Sequence, residues 1–195
     1  MKSSMLKLVL GAFVVLGMAA SVSHAQEQKQ AVPTPDPVVQ QMRQMILGLA
    51  PTDIGLPGQP MHPRVWGVMM DIGYQSTLAS LVVLADGTTS LYLGHGGGVI
   101  GAGQFKPVRD AAVELLQLAE IHKNAVNAVP LDSASLPMVG EVKFHLLTYD
   151  GAITVSVDQD ELGHNRHRLS GMFHTGHEVI ARIHNSTQMQ QLAGR

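Results

Sequence analysis

The chain contains no cysteine. Disulfide staples are excluded, and so is a lipid anchor of the lipoprotein kind, so the fold must be held by packing. Aromatic residues make up only 4% of the sequence and charged residues 14%, which asks for an aliphatic core and leaves few charges for surface ion-pair networks. The Lys and Arg residues are scattered and nowhere clustered. Such a surface offers no phosphate-neutralising field and argues against nucleic acid as a partner. Past the first residues no apolar run approaches the ~20 residues needed to cross ~30 Å of hydrocarbon, so no membrane span is expected in the mature chain.

What is present begins with a leader. Lys2 and Lys7 precede an apolar run from Leu8 to Ala20, and Ser23-His24-Ala25 leads into the polar stretch Gln26-Glu27-Gln28-Lys29-Gln30. A basic start, a short apolar centre and a small-x-small end are the marks of a cleavable secretory signal over residues 1–25, so the chain is expected to be periplasmic or secreted. Its removal takes two lysines from the 13 basic residues, leaving 11 against 15 acidic and a net charge of −4 with His neutral. About 170 residues remain, enough for one domain that buries roughly two-thirds of its unfolded surface. Residues 26–36, rich in Gln and then in Pro, are expected to form a flexible lead, with a single domain over 37–190.

Asp36 is a good N-cap and Pro37 suits the first helical position; Val38, Val39, Met42, Met45, Ile46 and Leu49 then recur at helical spacing. Strands follow over Val65–Asp71, Thr77–Ala85 and Thr88–Leu93, with Asp86-Gly87 between the last two. A second pair of strands surrounds Asp150-Gly151, where Val142, Phe144 and Leu146 alternate with Lys143 and His145, and Ile153, Val155 and Val157 with Thr154 and Ser156. Asp-Gly between β-rich runs predicts a hairpin closed by a type I′ turn. Helices are expected from Pro107 to His122, with Val108, Ala111, Ala112, Leu115, Leu116 and Ala119 inward, and from about Met172 to Gln190, with Phe173, Val179, Ile180 and Ile183 inward. The expected class is therefore α+β, an antiparallel sheet of about five strands covered by helices in the order α-βββ-α-ββ-α.

Five segments carry a resemblance: Trp66-Gly67-Val68-Met69-Met70, Leu84 to Tyr92 with its Asp86-Gly87-Thr88, Gly97-Gly98-Val99-Ile100-Gly101, Val108-Arg109-Asp110-Ala111-Ala112, and Leu146 to Gly151. On these the region from Val65 to Ile183 resembles an uncharacterised bacterial domain family, which implies no activity, ligand or catalytic residue. The order of elements also resembles roadblock or profilin-like modules, which act in protein assembly; this is analogy of fold alone.

Two constellations invite a chemical reading. Gly94 to Gly103 contains a formal GxGxxG at Gly96, Gly98 and Gly101, the type of loop whose backbone N–H groups cradle phosphate. Its context is wrong: the strand before it belongs to an antiparallel hairpin, the acidic residue at suitable distance, Glu120, lies inside a helix, and no Lys of P-loop type is present. Gly96, Gly97, Gly98 and Gly101 are read instead as a close-packed turn and a protein-contact loop. The second constellation is His164, His167, His174 and His177. His174 and His177, one turn apart, could face one Zn or Cu ion, although HxxH is a weak pattern and lacks the i, i+4 spacing of HExxH.

Nucleophilic catalysis has little support, since GxSxG is missing and Ser170 suits a cap before the last helix. Asp71, Asp158, Asp160 and Glu161 could pair as carboxylates, but no spacing fixes their separation, and the methionines suit core filling better than copper. The expectation is a non-enzymatic protein-binding or self-associating module. The alternative is a metal-binding protein or metal-dependent hydrolase built on the four histidines.

Overall fold

The β-rich runs on either side of the two Asp-Gly pairs build the centre of the molecule. In the computed structural model, which describes residues 29–59, 62–124, 129–131 and 135–193, β1 (Val65–Gly73), β2 (Leu78–Leu84) and β3 (Thr89–Leu93) form a meander. Two-residue strands β4 (Gly98–Val99) and β5 (Val129–Pro130) flank the sheet. A second hairpin, β6 (Glu141–Thr148) and β7 (Gly151–Asp158), joins the meander through β1. The strand order is β4-β3-β2-β1-β6-β7-β5, antiparallel throughout. Helices α1 (Pro37–Leu47), α2 (Lys106–His122), α3 (Gln159–Gly163) and α4 (Ser170–Ala193) complete it. The α+β class and the order read from sequence hold; the edge strands and α3 are additions.

Both faces of the sheet are covered. Val68, Met70, Ile72, Leu81, Val83, Val142, Phe144 and Leu146 pack under α2 and α4, against Val108, Leu115, Met172, Val179 and Ile183. The opposite parity, Met69, Val82, Leu84 and Leu147, packs under α1, against Val39, Ile46 and Leu47. A bulge between Val65 and Gly67 resets the parity at the start of β1, so Val65 faces α2 while Trp66 turns to the α1 side. Glu120 fixes this entry, its Oε2 accepting the N–H of Arg64 and of Val65 at 2.9 Å each while Oε1 takes Lys123 Nζ at 2.6 Å. The acid that a dinucleotide fold would use for a ribose is spent here on the backbone.

Three expectations are corrected. The hairpin turns are not type I′: Gly87 (φ 93°) and Gly151 (φ 112°) take the left-handed conformation, whereas Asp86 and Asp150 do not. In the first turn Gly87 donates to Leu84 O at 3.0 Å and Leu84 to Thr88 O at 2.9 Å, a loop in which only the glycine needs positive φ and the Cβ-bearing Asp avoids it. Asp86 Oδ1 instead accepts the N–H of Thr88 at 2.9 Å. The buried stripe of α1 is Val39, Arg43, Ile46 and Leu47, while Val38 and Met45 face outward, because Arg43 has a partner beneath it. Finally, the lead is docked from Lys29 onward. Val139 donates to Gln30 O at 2.7 Å, Ala31 bridges to Met138, and Val32 is buried over Gly73. Residues 1–25, the expected signal, lie outside the described residues; among the rest no helix is long and apolar enough to cross a membrane.

The glycine-rich segment lies along the outer edge of β3. Gly98 pairs with Tyr92, and a Cβ on it would stand 2.1 Å from Leu91 O; a Cβ on Gly103 would stand 1.9 Å from Gly87 O. Arg109 of α2 clamps the same segment by donating to Gly103 O at 2.7 Å. Of the four glycines read as a close-packed turn, Gly98 is so packed, as is the nearby Gly103, whereas Gly96, Gly97 and Gly101 are not; the segment shields an edge that would otherwise template further strands. Gly103→Ala should destabilise by more than ~2 kcal/mol, as backbone rather than a movable side chain opposes the new methyl. Gly171→Ala, in α4 with no heavy atom within 4 Å of its Cβ, should stabilise by up to ~1 kcal/mol. Urea denaturation of the two variants checks both signs.

Candidate functional site

The strongest polar constellation in the molecule lies between α1 and the sheet. Asp71 sits toward the end of β1 among apolar residues and is fully buried. Antiparallel pairing puts Ser80 of β2 and Lys143 of β6 beside it. Its carboxylate accepts from Arg43 through Nε, at 3.2 and 3.1 Å to the two oxygens, and through the guanidinium's terminal nitrogen. Ser80 Oγ donates to Oδ1, and His145 Nε2 lies 3.1 Å from Oδ2. His145 is itself buried on β6, with Nδ1 2.8 Å from the hydroxyl of its cross-strand partner Thr154. Since an ionised carboxylate only accepts, Nε2 must donate to it; in the neutral ring Nδ1 then accepts the Thr154 hydroxyl. The positive charge of Arg43 thus lies directly against the negative charge of Asp71.

Burial by itself would raise the Asp71 pKa. The hydrogen bond from His145 and the charge and hydrogen bonds of Arg43 outweigh it and hold the carboxyl far below the usual carboxylate range. The alternation of β6 and β7 was legible in the sequence, but the polar side of β6 does not meet water, and on β7 Thr154 is buried while Ser156 is exposed. Lys143, His145 and Thr154 are buried, and Lys143 donates to Ser135 Oγ. Sequence reasoning considered Asp71 only as one loose carboxylate and missed Arg43 and His145. The available signal was a charged residue inside a run otherwise apolar at both parities, which requires an opposite charge from elsewhere.

Three of the four histidines have hydrogen-bond partners of their own, and His174 and His177 both lie against Phe173, with His177 Nε2 buried and unpartnered. His164, at the end of α3, places Nδ1 2.9 Å from Asp160 O and 3.0 Å from Asp160 Oδ1. His167 Nδ1 accepts the N–H of Leu169 at 3.2 Å, and His174 Nε2 is 3.0 Å from Asn165 Oδ1. His177 packs edge-on against Phe173 with ring centroids 4.5 Å apart, and burial, with the charge of His174, lowers its pKa. Among the described residues no three His, Asp or Glu side chains gather where one metal ion could be held. Asp158 caps α3 and pairs with Lys29 at 2.7 Å, while Asp160 and Glu161 pair with Arg166.

No protein-family model, curated protein or solved structure matches this chain. The side chains remain the guide to function. They offer a second feature, a cleft of about 390 Å³ between the first turns of α1 and the glycine-rich segment, walled by Val38, Val39, Met42, Tyr92 and Ile100 and floored by Gly96, Gly97 and Gly98. Val38 and Ile100 are 62% and 68% exposed at its rim. Gly96 and Gly97 have no neighbour that a Cβ would touch closely, so backbone is accessible there. Gly101, the remaining glycine of the motif, begins the 3₁₀ turn Ala102–Gln104 and donates to Ser90 Oγ at 3.4 Å. The four glycines expected to form a contact loop are thus divided, Gly96 to Gly98 in the cleft and Gly101 outside its lining.

Removing the Asp71 charge should leave Arg43 buried without its counter-ion. Asp71→Asn should therefore cost ~3–5 kcal/mol. The sign of the pH effect follows from the lowered folded-state pKa. The stabilisation is present above the unfolded value of ~3.9 and is lost as pH falls from about 5 toward the folded pKa. Denaturation midpoints from pH 7 to 2.5 should fall more steeply for the wild type than for Asp71→Asn; parallel curves would refute the assigned charge state.

Proposed function

We propose that the protein is an exported, non-enzymatic binding module that takes an anchor side chain of a partner polypeptide into the cleft between α1 and the glycine-rich segment. The observation that carries this reading is the pair of large apolar side chains, Val38 and Ile100, left exposed on opposite walls of one cleft. Its volume of about 390 Å³ falls within the ~300–1,000 Å³ range of small-ligand sites, ample for a side chain. Covering an exposed Ile is worth ~1.5–3 kcal/mol. The glycine floor admits a partner's main chain without steric obstruction.

The inward-turned network of Asp71, His145 and Arg43 supports the same reading, because its donors and acceptors are satisfied by one another. The leader Lys2 to Ala25 supports export to the periplasm or beyond. A metal centre on the four histidines would be the other route to function, but their separate partners favour structural roles.

Selection of a displayed random-peptide library on the mature chain should enrich peptides that share one anchor side chain with an apolar stem. These should bind Ile100→Ser at least tenfold more weakly, ~1.4 kcal/mol, while the variant keeps the wild-type thermal midpoint. Enriched peptides that bind both proteins equally would place recognition elsewhere and sink the proposal.

A further inference from the structure

The cleft holds one charged group among its described lining residues, and its placement bears on what the partner must carry. Asp36 caps α1, Oδ1 accepting the N–H of Val38 at 2.8 Å. Its own N–H donates to Gly94 O at 2.8 Å, so the residue is pinned both to the helix and to the glycine-rich segment. The second oxygen, Oδ2, is turned toward the cleft floor, 3.8 Å from where a Cβ on Gly96 would stand. Tyr92 adds an aromatic ring to the wall, and the other lining side chains are aliphatic or methionine.

A wholly apolar occupant would strip water from Oδ2 and give it nothing in return, an unfavourable exchange for a carboxylate. The partial positive charge at the start of α1 amounts to only about half a unit and does not cancel the carboxylate. A long basic side chain meets both demands: its methylene stem lies on apolar surface while its cationic head hydrogen-bonds the carboxylate, and an aromatic wall also favours a cation. Resting on the reading that this cleft binds a polypeptide, we propose that the anchor it takes is a lysine or arginine of a partner segment. The stem then lies along Val38, Met42 and Ile100, and the head sits at Asp36 Oδ2. The net charge of −4 on the mature chain adds long-range attraction for such a basic segment.

The test uses two probes of equal length, n-hexylammonium chloride and 1-hexanol, titrated into the ¹⁵N-labelled mature chain and followed at the amides of Gly96, Gly97 and Ile100. Asp36→Ser is the variant of choice, because serine caps a helix about as well as aspartate and the fold is preserved while the charge is lost. On the wild type, hexylammonium should bind at least fivefold tighter than hexanol, and the advantage should shrink to less than twofold in Asp36→Ser. Equal binding of the two probes, unchanged in the variant, would overturn basic-side-chain recognition while leaving an apolar cleft standing. No shift at these amides with either probe would overturn both this inference and the peptide-binding reading beneath it.

Discussion

The ion pair between Arg43 and Asp71 decides how the molecule is layered. An antiparallel sheet with one apolar face needs only one layer of helices, and α2 with α4 supplies that. The other face carries Asp71, Ser80, His145 and Thr154 near its centre, and a lone carboxylate in that position cannot be buried under aliphatic side chains. Arg43 brings the opposite charge on a helix that covers this face, so α1 is both a roof and the counter-ion. Its orientation follows: with Arg43 pointing down, Val39, Ile46 and Leu47 point down with it, and Val38 and Met45 are forced outward. The exposed wall of the cleft is thus a by-product of where one guanidinium must go.

Buried ion pairs of this kind seldom add net stability over a well-packed apolar alternative, but they are specific. A shift of α1 by one residue would leave two charges unpaired, whereas an aliphatic contact would tolerate the slip. Asp36 supplies a second fixed point at the start of the same helix through its cap and its bond to Gly94. Two polar anchors, one at each side of Val39, hold the helix in register over the sheet and so fix the geometry of the cleft that α1 shares with the glycine-rich segment.

The sequence was legible where local chemistry decides the outcome. Asp36 and Pro37 start α1, the Val108-to-Ala119 stripe faces inward, and both Asp-Gly pairs close hairpins. It was illegible where the outcome depends on residues far apart in the chain. The alternation of Lys143 and His145 against Phe144 and Leu146 gives the parity of a strand and not whether its polar side meets water or a helix. Val32 finds its place only because Gly73 leaves room for it across the sheet end. The four histidines are close in sequence, yet the loop between α3 and α4 spreads them among Asp160, Leu169, Asn165 and Phe173. The cleft was half visible, in that the glycine-rich segment was marked as a contact loop without its opposite wall.

The docked lead has a consequence for the order in which the chain assembles. Lys29 meets Asp158 across 129 positions of sequence, and Asp71 meets His145 across 74, whereas β1, β2 and β3 find one another through short turns. Loop closure grows costlier with separation, if slowly, and non-local pairings limit the rate of folding. During synthesis α1 and the lead emerge before the sheet, and although Arg43 can meet Asp71 once β1 is made, the surface they cover is complete only when β6 and β7 arrive. A segment made early is thus seated on a surface made late, since Lys29 has its partner at the end of β7.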